Sequence, residues 1–125
     1  MTCDLAGHVI GIAMQVQSAL GPGFLESVYH KAMVLDLTEA GYQVEAEKRL
    51  TVVYRGHVIG EFIADIIVNG CLILELKAVN MLVVAHEIQL VNYLTITSIE
   101  EGLLLNFGAD KLQFKKKYCR YRKPD

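Results

Sequence analysis

A chain of 125 residues carrying 12 Lys/Arg against 14 Asp/Glu has room for one domain with a single core, and too little for a separate target-recognition module. With 53% hydrophobic and 21% charged residues it is expected to be globular rather than disordered. No apolar run is long enough to span a bilayer, and the N-terminus lacks the basic-then-hydrophobic layout of a signal peptide. Cys3, Cys71 and Cys119 are odd in number and far apart, without zinc spacing, so they are expected as core cysteines of a cytoplasmic protein.

In chain order, Leu5, Val9, Ile12, Val16 and Leu20 recur at helical spacing, and Gly21-Pro22-Gly23 ends that helix. A second helix is expected over residues 25–40, stopping at Gly41. Residues 44–54 read as a strand, Arg55-Gly56 as a turn and 58–68 as the partner strand. Asn69-Gly70 turns the chain into a third strand over 71–79. A helix over 86–95 and strands over 102–107 and 112–118 complete the order ααβββαββ, an α/β arrangement with a sheet flanked by helices.

Three charges interrupt this apolar pattern: Asp65 on the second strand, and Glu75 and Lys77 on the third. Glu75 and Lys77 lie two apart and therefore share a sheet face, while Leu74 and Leu76 take the other. Whether Asp65 joins them depends on the hairpin at 69–70. A regular two-residue turn would pair Val68 with Cys71 and put the two acids on opposite faces. A three-residue connection over 68–70, with Gly70 left-handed, would pair Ile67 with Cys71 and Asp65 with Ile73. That makes Asp65 and Glu75 diagonal neighbours on one face, and it is the connection a shared site requires.

The pattern Asp-(x)9-Glu-x-Lys between hydrophobic strands resembles the PD-(D/E)XK nuclease superfamily. Gly21-Pro22-Gly23-Phe24-Leu25-Glu26-Ser27-Val28-Tyr29 is similar to the signature of its small GxxExxY family. Gln89-Leu90-Val91-Asn92-Tyr93 resembles the QxxxY motif of the RecB-like branch, and the stretch 102–107 is similar to the strand that follows it. These pieces cover roughly residues 5 to 118 in the family's order. The chain departs from it at Gln17, where a histidine is expected, which puts any role of the first helix in doubt. The resemblance implies a restriction-endonuclease-like core and a Mg²⁺- or Mn²⁺-dependent nuclease. Asp65 and Glu75 would be metal ligands, Glu26 a further metal or water ligand, and Lys77, Gln89 and Tyr93 active-site residues.

The chemistry suits those residue types. Mg²⁺ prefers one or two carboxylates plus water and substrate oxygens, and an adjacent lysine can orient or deprotonate a water or stabilise phosphate charge. A buried salt-bridge cluster is the alternative for the three charges, although it costs desolvation. Glu26 could equally be a carboxylate favoured by its helix dipole. Tyr29, one turn on, either binds phosphate or packs; His30 is expected at the surface. His86 is read as a cap or solvent contact, and Glu87 as a carboxylate offsetting the dipole of its helix.

Charge is unevenly spread: residues 1–110 hold five Lys/Arg and thirteen Asp/Glu, whereas residues 111–125 hold seven Lys/Arg and one Asp. Lys115, Lys116, Lys117, Arg120 and Arg122, interleaved with Tyr118 and Tyr121, suit phosphate contact and base stacking. They equally suit an edge strand whose lysines deter aggregation. No Walker loop, GxGxxG or GxSxG is present. The expected partner is nucleic acid, with DNA the expected substrate and pairing with a second copy or another subunit left open. The rival to a nuclease is a catalytically silent nucleic-acid-binding or assembly module of the same fold.

Overall fold

The computed structural model describes residues 4–119. Its elements are α1 (Leu5–Leu20), α2 (Glu26–Glu39), β1 (Val44–Tyr54), β2 (His57–Val68), β3 (Leu72–Lys77), α3 (Val84–Thr97), β4 (Glu101–Asn106) and β5 (Gln113–Tyr118). The order ααβββαββ is the expected one. Helix α3 is longer at both ends than its apolar core suggests, and β3 is trimmed to six residues.

Local chemistry accounts for the helix ends. Asp4 accepts from Gly7 N–H at 2.9 Å and caps α1. Helix α2 closes in a Schellman motif: Tyr42 N–H reaches Leu37 O, Gly41 N–H reaches Thr38 O, and Gly41 takes φ 94°.

The five strands form one mixed sheet in the order β1-β2-β3-β4-β5, antiparallel except for β3 and β4. That parallel pair needs a crossover, and α3 supplies it. On one face, α1 and α2 pack against Ile66, Val68, Leu72, Leu74, Leu76, Leu103, Leu105 and Phe107. On the other, α3 brings Leu90, Tyr93 and Leu94 against Leu50, Ala64, Ile67, Ile73 and Leu104. Covered on both sides, β3 reads as a continuous apolar run apart from Glu75 and Lys77.

The hairpin joining β2 and β3 settles the register. Asn69 (φ 53°) and Gly70 (φ 65°) are both left-handed, and Cys71 N–H donates to Val68 O at 3.0 Å, so the tight turn that Asn-Gly favours does form. The ladder nevertheless pairs Val68 with Leu72, Ile67 with Ile73 and Ile66 with Leu74. Cys71 is therefore the extra residue, and the connection is odd-length, as a shared site requires. The expected pairings of Ile67 with Cys71 and Asp65 with Ile73 are not the ones formed. Continued by one residue, the register sets Asp65 level with Glu75. As the bulged residue Cys71 is exposed and Cys119 is half-buried, so neither is the core cysteine expected; Cys3 lies outside the described residues.

A second irregularity lies across from the first. Ala46 pairs with Ile66 and Lys48 with Ala64, and between them Glu47 adopts φ 53°. Ala64 and Ile66, two apart on one strand, belong to opposite cores. The face of β2 changes hands at Asp65.

Candidate active site

Asp65 sits where the regular ladder gives way to side-chain hydrogen bonds. Its N–H donates to Glu75 Oε1 at 3.3 Å, and its Oδ2 accepts from Leu76 N–H at 2.8 Å. The two carboxylates are thus threaded through each other's backbone, which fixes them side by side. Lys77 Nζ lies 3.4 Å from Gln89 Oε1, and Gln89 Nε2 donates to Tyr93 Oη at 3.0 Å. The i, i+4 spacing of Gln89 and Tyr93 places both on the α3 face turned to the sheet. Asp65, Glu75, Lys77, Gln89 and Tyr93 are brought together.

Glu75 is only 3% exposed and makes no salt bridge among the described residues. Burial, with the charge of Asp65 next, pushes its carboxyl up to about 8. Burial also raises Asp65, an effect opposed by the Leu76 N–H and by His30 and Lys77. Glu26 is raised by burial and by Asp65, with Lys77 and His30 opposing. Tyr93 is raised by burial and by Glu75. Three acids and a lysine share one electrostatic neighbourhood, and the acids outnumber the cation.

A divalent ion suits such a donor set, which is all oxygen and short of positive charge. Among the described residues, no group of three or more His, Cys, Asp or Glu side chains is arranged to hold a metal. Glu26 therefore reaches Asp65 and Glu75 electrostatically rather than as the third side chain of a closed cage. An ion here would rely on Asp65 and Glu75 together with water and substrate oxygens, as Mg²⁺ commonly does.

Tyr29 corrects the sequence reading. It is fully buried, stacks on Phe107 with ring centroids 4.8 Å apart, donates its hydroxyl to Gly21 O and accepts from Phe24 N–H at 3.2 Å. It locks the Gly21-Pro22-Gly23 turn that delivers Glu26, and it presents no surface to nucleic acid. Gln17 also serves the fold, since its Nε2 donates to Ala109 O and Asp110 O and so ties α1 to the loop after β4.

The lysines of β5 are not all free. Lys117 meets Glu87 at 2.8 Å and Lys115 meets it at 3.8 Å, while Lys116 is exposed. The hydrogen bond from Lys117 lowers the Glu87 carboxyl below its usual range. Glu87 is thus engaged by β5, beyond the dipole role expected of it. Arg120 and Arg122 lie outside the described residues.

His30, expected at the surface, is half-buried instead, and Asn106 and Phe62 were not singled out by the sequence. His30 Nε2 lies 3.0 Å from Asp65 O. Its place one residue past a buried tyrosine gives no signal of that contact. Buried Asn106 uses its whole amide: Oδ1 accepts from Val79 N–H and Gly108 N–H, and Nδ2 donates to Val79 O and Gln113 Oε1. It pins the chain just beyond Lys77, its own ladder partner. A Cβ on Gly108 would come within 2.5 Å of Val79 backbone, so only glycine fits this junction. Phe62 leans on Tyr93 with ring centroids 5.8 Å apart.

A sequence profile of the PD-(D/E)XK nuclease superfamily matches residues 3–120. The chain belongs to that superfamily. Among solved structures this PD-(D/E)XK chain is similar to the protein SSO0001, known from its crystal structure, with a TM-score of 0.58 and 19% identity over 79% of the present chain. That likeness concerns the fold, and the PD-(D/E)XK domain described here spans about half the length of the other protein, 50%. A comparison with functionally curated proteins found no match. PD-(D/E)XK nucleases generally use divalent metals.

Proposed function

We propose that this chain is a divalent-metal-dependent nuclease that hydrolyses phosphodiester bonds in DNA. The observation that carries the reading is Glu75: an acid on the central strand, 3% exposed, lying against Asp65, with its carboxyl pushed up to about 8. Stability offers no reason to keep it there, because an unpaired buried carboxylate is costly. Two oxygen-donor acids beside a lysine are what metal-assisted phosphodiester hydrolysis calls for.

In this reading Asp65 and Glu75 hold Mg²⁺ or Mn²⁺, with Glu26 adding negative charge at the rim. The bound ion would supply Lewis-acid stabilisation of phosphate charge and a more acidic water. Lys77, steadied by Gln89, orients the attacking water or neutralises the phosphate oxygens. Tyr93 holds Gln89 in turn. Lys115, Lys116, Lys117, Arg120 and Arg122 supply further phosphate contacts. Incubating the purified chain with supercoiled plasmid, with Mg²⁺ or Mn²⁺ and with chelator, tests the reading. Metal-dependent nicking that Glu75→Gln abolishes is expected; metal-independent nicking, or nicking that this variant retains, would refute it.

A further inference from the structure

Beside the acids, between the β1–β2 hairpin and α3, lies an open cleft of about 370 Å³ lined by Phe62, His86, Ile88, Gln89, Asn92 and Tyr93 among others. Gln89 and Tyr93 belong to the candidate active site as well, so the two are continuous. Phe62 lies on β2 three residues before Asp65, and its ring rests against Tyr93 of the candidate active site with centroids 5.8 Å apart. It is 41% exposed and Ile88 52%, so both present apolar surface to solvent.

The lining has no Lys, Arg, Asp or Glu, so it offers no full charge to a phosphate or a cation. It offers an aromatic face, an aliphatic wall and a few amide and imidazole groups at the rim. His86 Nδ1 accepts from Val83 N–H, leaving only its Nε2 for a ligand. Gly60 keeps the adjoining surface low: its Cβ position is 3.4 Å from the Phe62 ring. A flat apolar face with edge hydrogen-bonding groups matches a nucleobase, and bases within a duplex are stacked and out of reach.

We propose that this cleft is a nucleobase subsite, which takes an unstacked base of a single-stranded or frayed strand whose neighbouring phosphate lies at Lys77, beside Asp65 and Glu75. It rests on the nuclease reading above and narrows the substrate to strands whose bases can be splayed out.

The test uses the full chain and three oligonucleotide probes of equal length: a single strand with 2-aminopurine, the same strand with abasic sites, and a blunt duplex. The single strand should bind most tightly and its 2-aminopurine emission should change on binding, with the abasic strand weaker by about tenfold. Phe62→Ala should erase that difference, and Phe62→Trp should keep it. The chain has no native tryptophan, so the introduced indole reports the base directly. Equal affinity for the single and abasic strands, unaffected by Phe62→Ala in a protein of normal circular dichroism, overturns the subsite. So does self-association by sedimentation that Phe62→Ala abolishes, which would make the cleft a contact between copies. Base-dependent binding without cleavage in Mg²⁺ or Mn²⁺ would sink the nuclease reading and leave the subsite standing. Cleavage indifferent to Phe62 and to base stacking would do the reverse.

Discussion

At the scale of single residues, the neighbourhood of Asp65 separates roles that share one site. Lys77 contacts Gln89 and lies beside the acids without being tied to either, so Lys77→Ala is expected to abolish cleavage while calorimetric Mg²⁺ or Mn²⁺ binding persists. Asp65→Ala and Glu75→Ala should lose both. Undiminished cleavage by the Lys77 variant would remove it from the chemistry. Glu75 also makes stability depend on pH. Its carboxyl rises from 4.5 to about 8 on folding, so between those values the folded chain keeps a proton that the unfolded chain releases. Metal-free stability should therefore fall as pH rises through this window and level off above it. The upper limit of that loss is about 5 kcal/mol. Chemical denaturation at several pH values should show this slope in the native chain and lose most of it in Glu75→Gln; an unchanged slope would place its origin elsewhere. The acids were legible beforehand because charge is conspicuous in an apolar strand. Tyr29 and His30 were not, since helical spacing says which residues share a face and not which of them a neighbouring turn will bury.

At the scale of elements, the hairpin between β2 and β3 decides whether a site exists. Asn69 and Gly70 satisfy the tight turn that their types favour, and Cys71 absorbs the odd residue. The parity of the register followed from the need to gather the acids, whereas the exact pairs turned on where the bulge falls. That location depends on Leu72 entering the core, which no local pattern announces. Deleting Cys71 should convert the connection to a regular two-residue hairpin that still pairs Val68 with Leu72 and so keeps Asp65 level with Glu75. The deletion variant should then fold and retain its metal binding in the calorimeter. Lost metal binding by a folded variant would show that the bulge itself shapes the site. The long helices and the order of elements were readable from periodicity and glycine stops. The crossing of β2 between two cores was not, because it breaks the simple alternation of a strand at Asp65, opposite the left-handed Glu47 of β1.

At the scale of the whole molecule, an acidic body ends in a basic segment, and the structure shows that part of this basic charge is already spent on Glu87. If the segment meets phosphates, changing Lys115, Lys117, Arg120 and Arg122 to Gln should weaken nucleic-acid binding. It should also flatten the salt dependence, by about 0.7 in log–log slope on a single strand, or about 0.9 on a duplex, for each phosphate no longer neutralised. Turnover on saturating substrate should survive. Glu87→Gln should act in the opposite sense and tighten binding by freeing two lysines. Anisotropy titrations over a range of salt would check both, and an unchanged slope would leave the lysines as protection for the exposed edge strand β5. Among the described residues no helix is long and apolar enough to cross a membrane.

The turn at Asn69-Gly70 also gives the protein a clock. An asparagine followed by glycine is the pair most prone to cyclise, because glycine's amide nitrogen meets no side-chain obstruction on its way to the asparagine carbonyl. Reopening of the ring leaves mostly isoaspartate, which adds one carbon to the main chain. Asn69 Oδ1 is held by Gln43 N–H at 2.8 Å, and Asn69 N–H by Gln43 O, so the folded protein restrains the attack and the unfolded one does not. Where the reaction does occur, the lengthened backbone lies a few residues from Asp65 and alters the connection that sets it beside Glu75. Ageing at this one exposed turn should therefore appear as lost metal affinity in an otherwise intact chain.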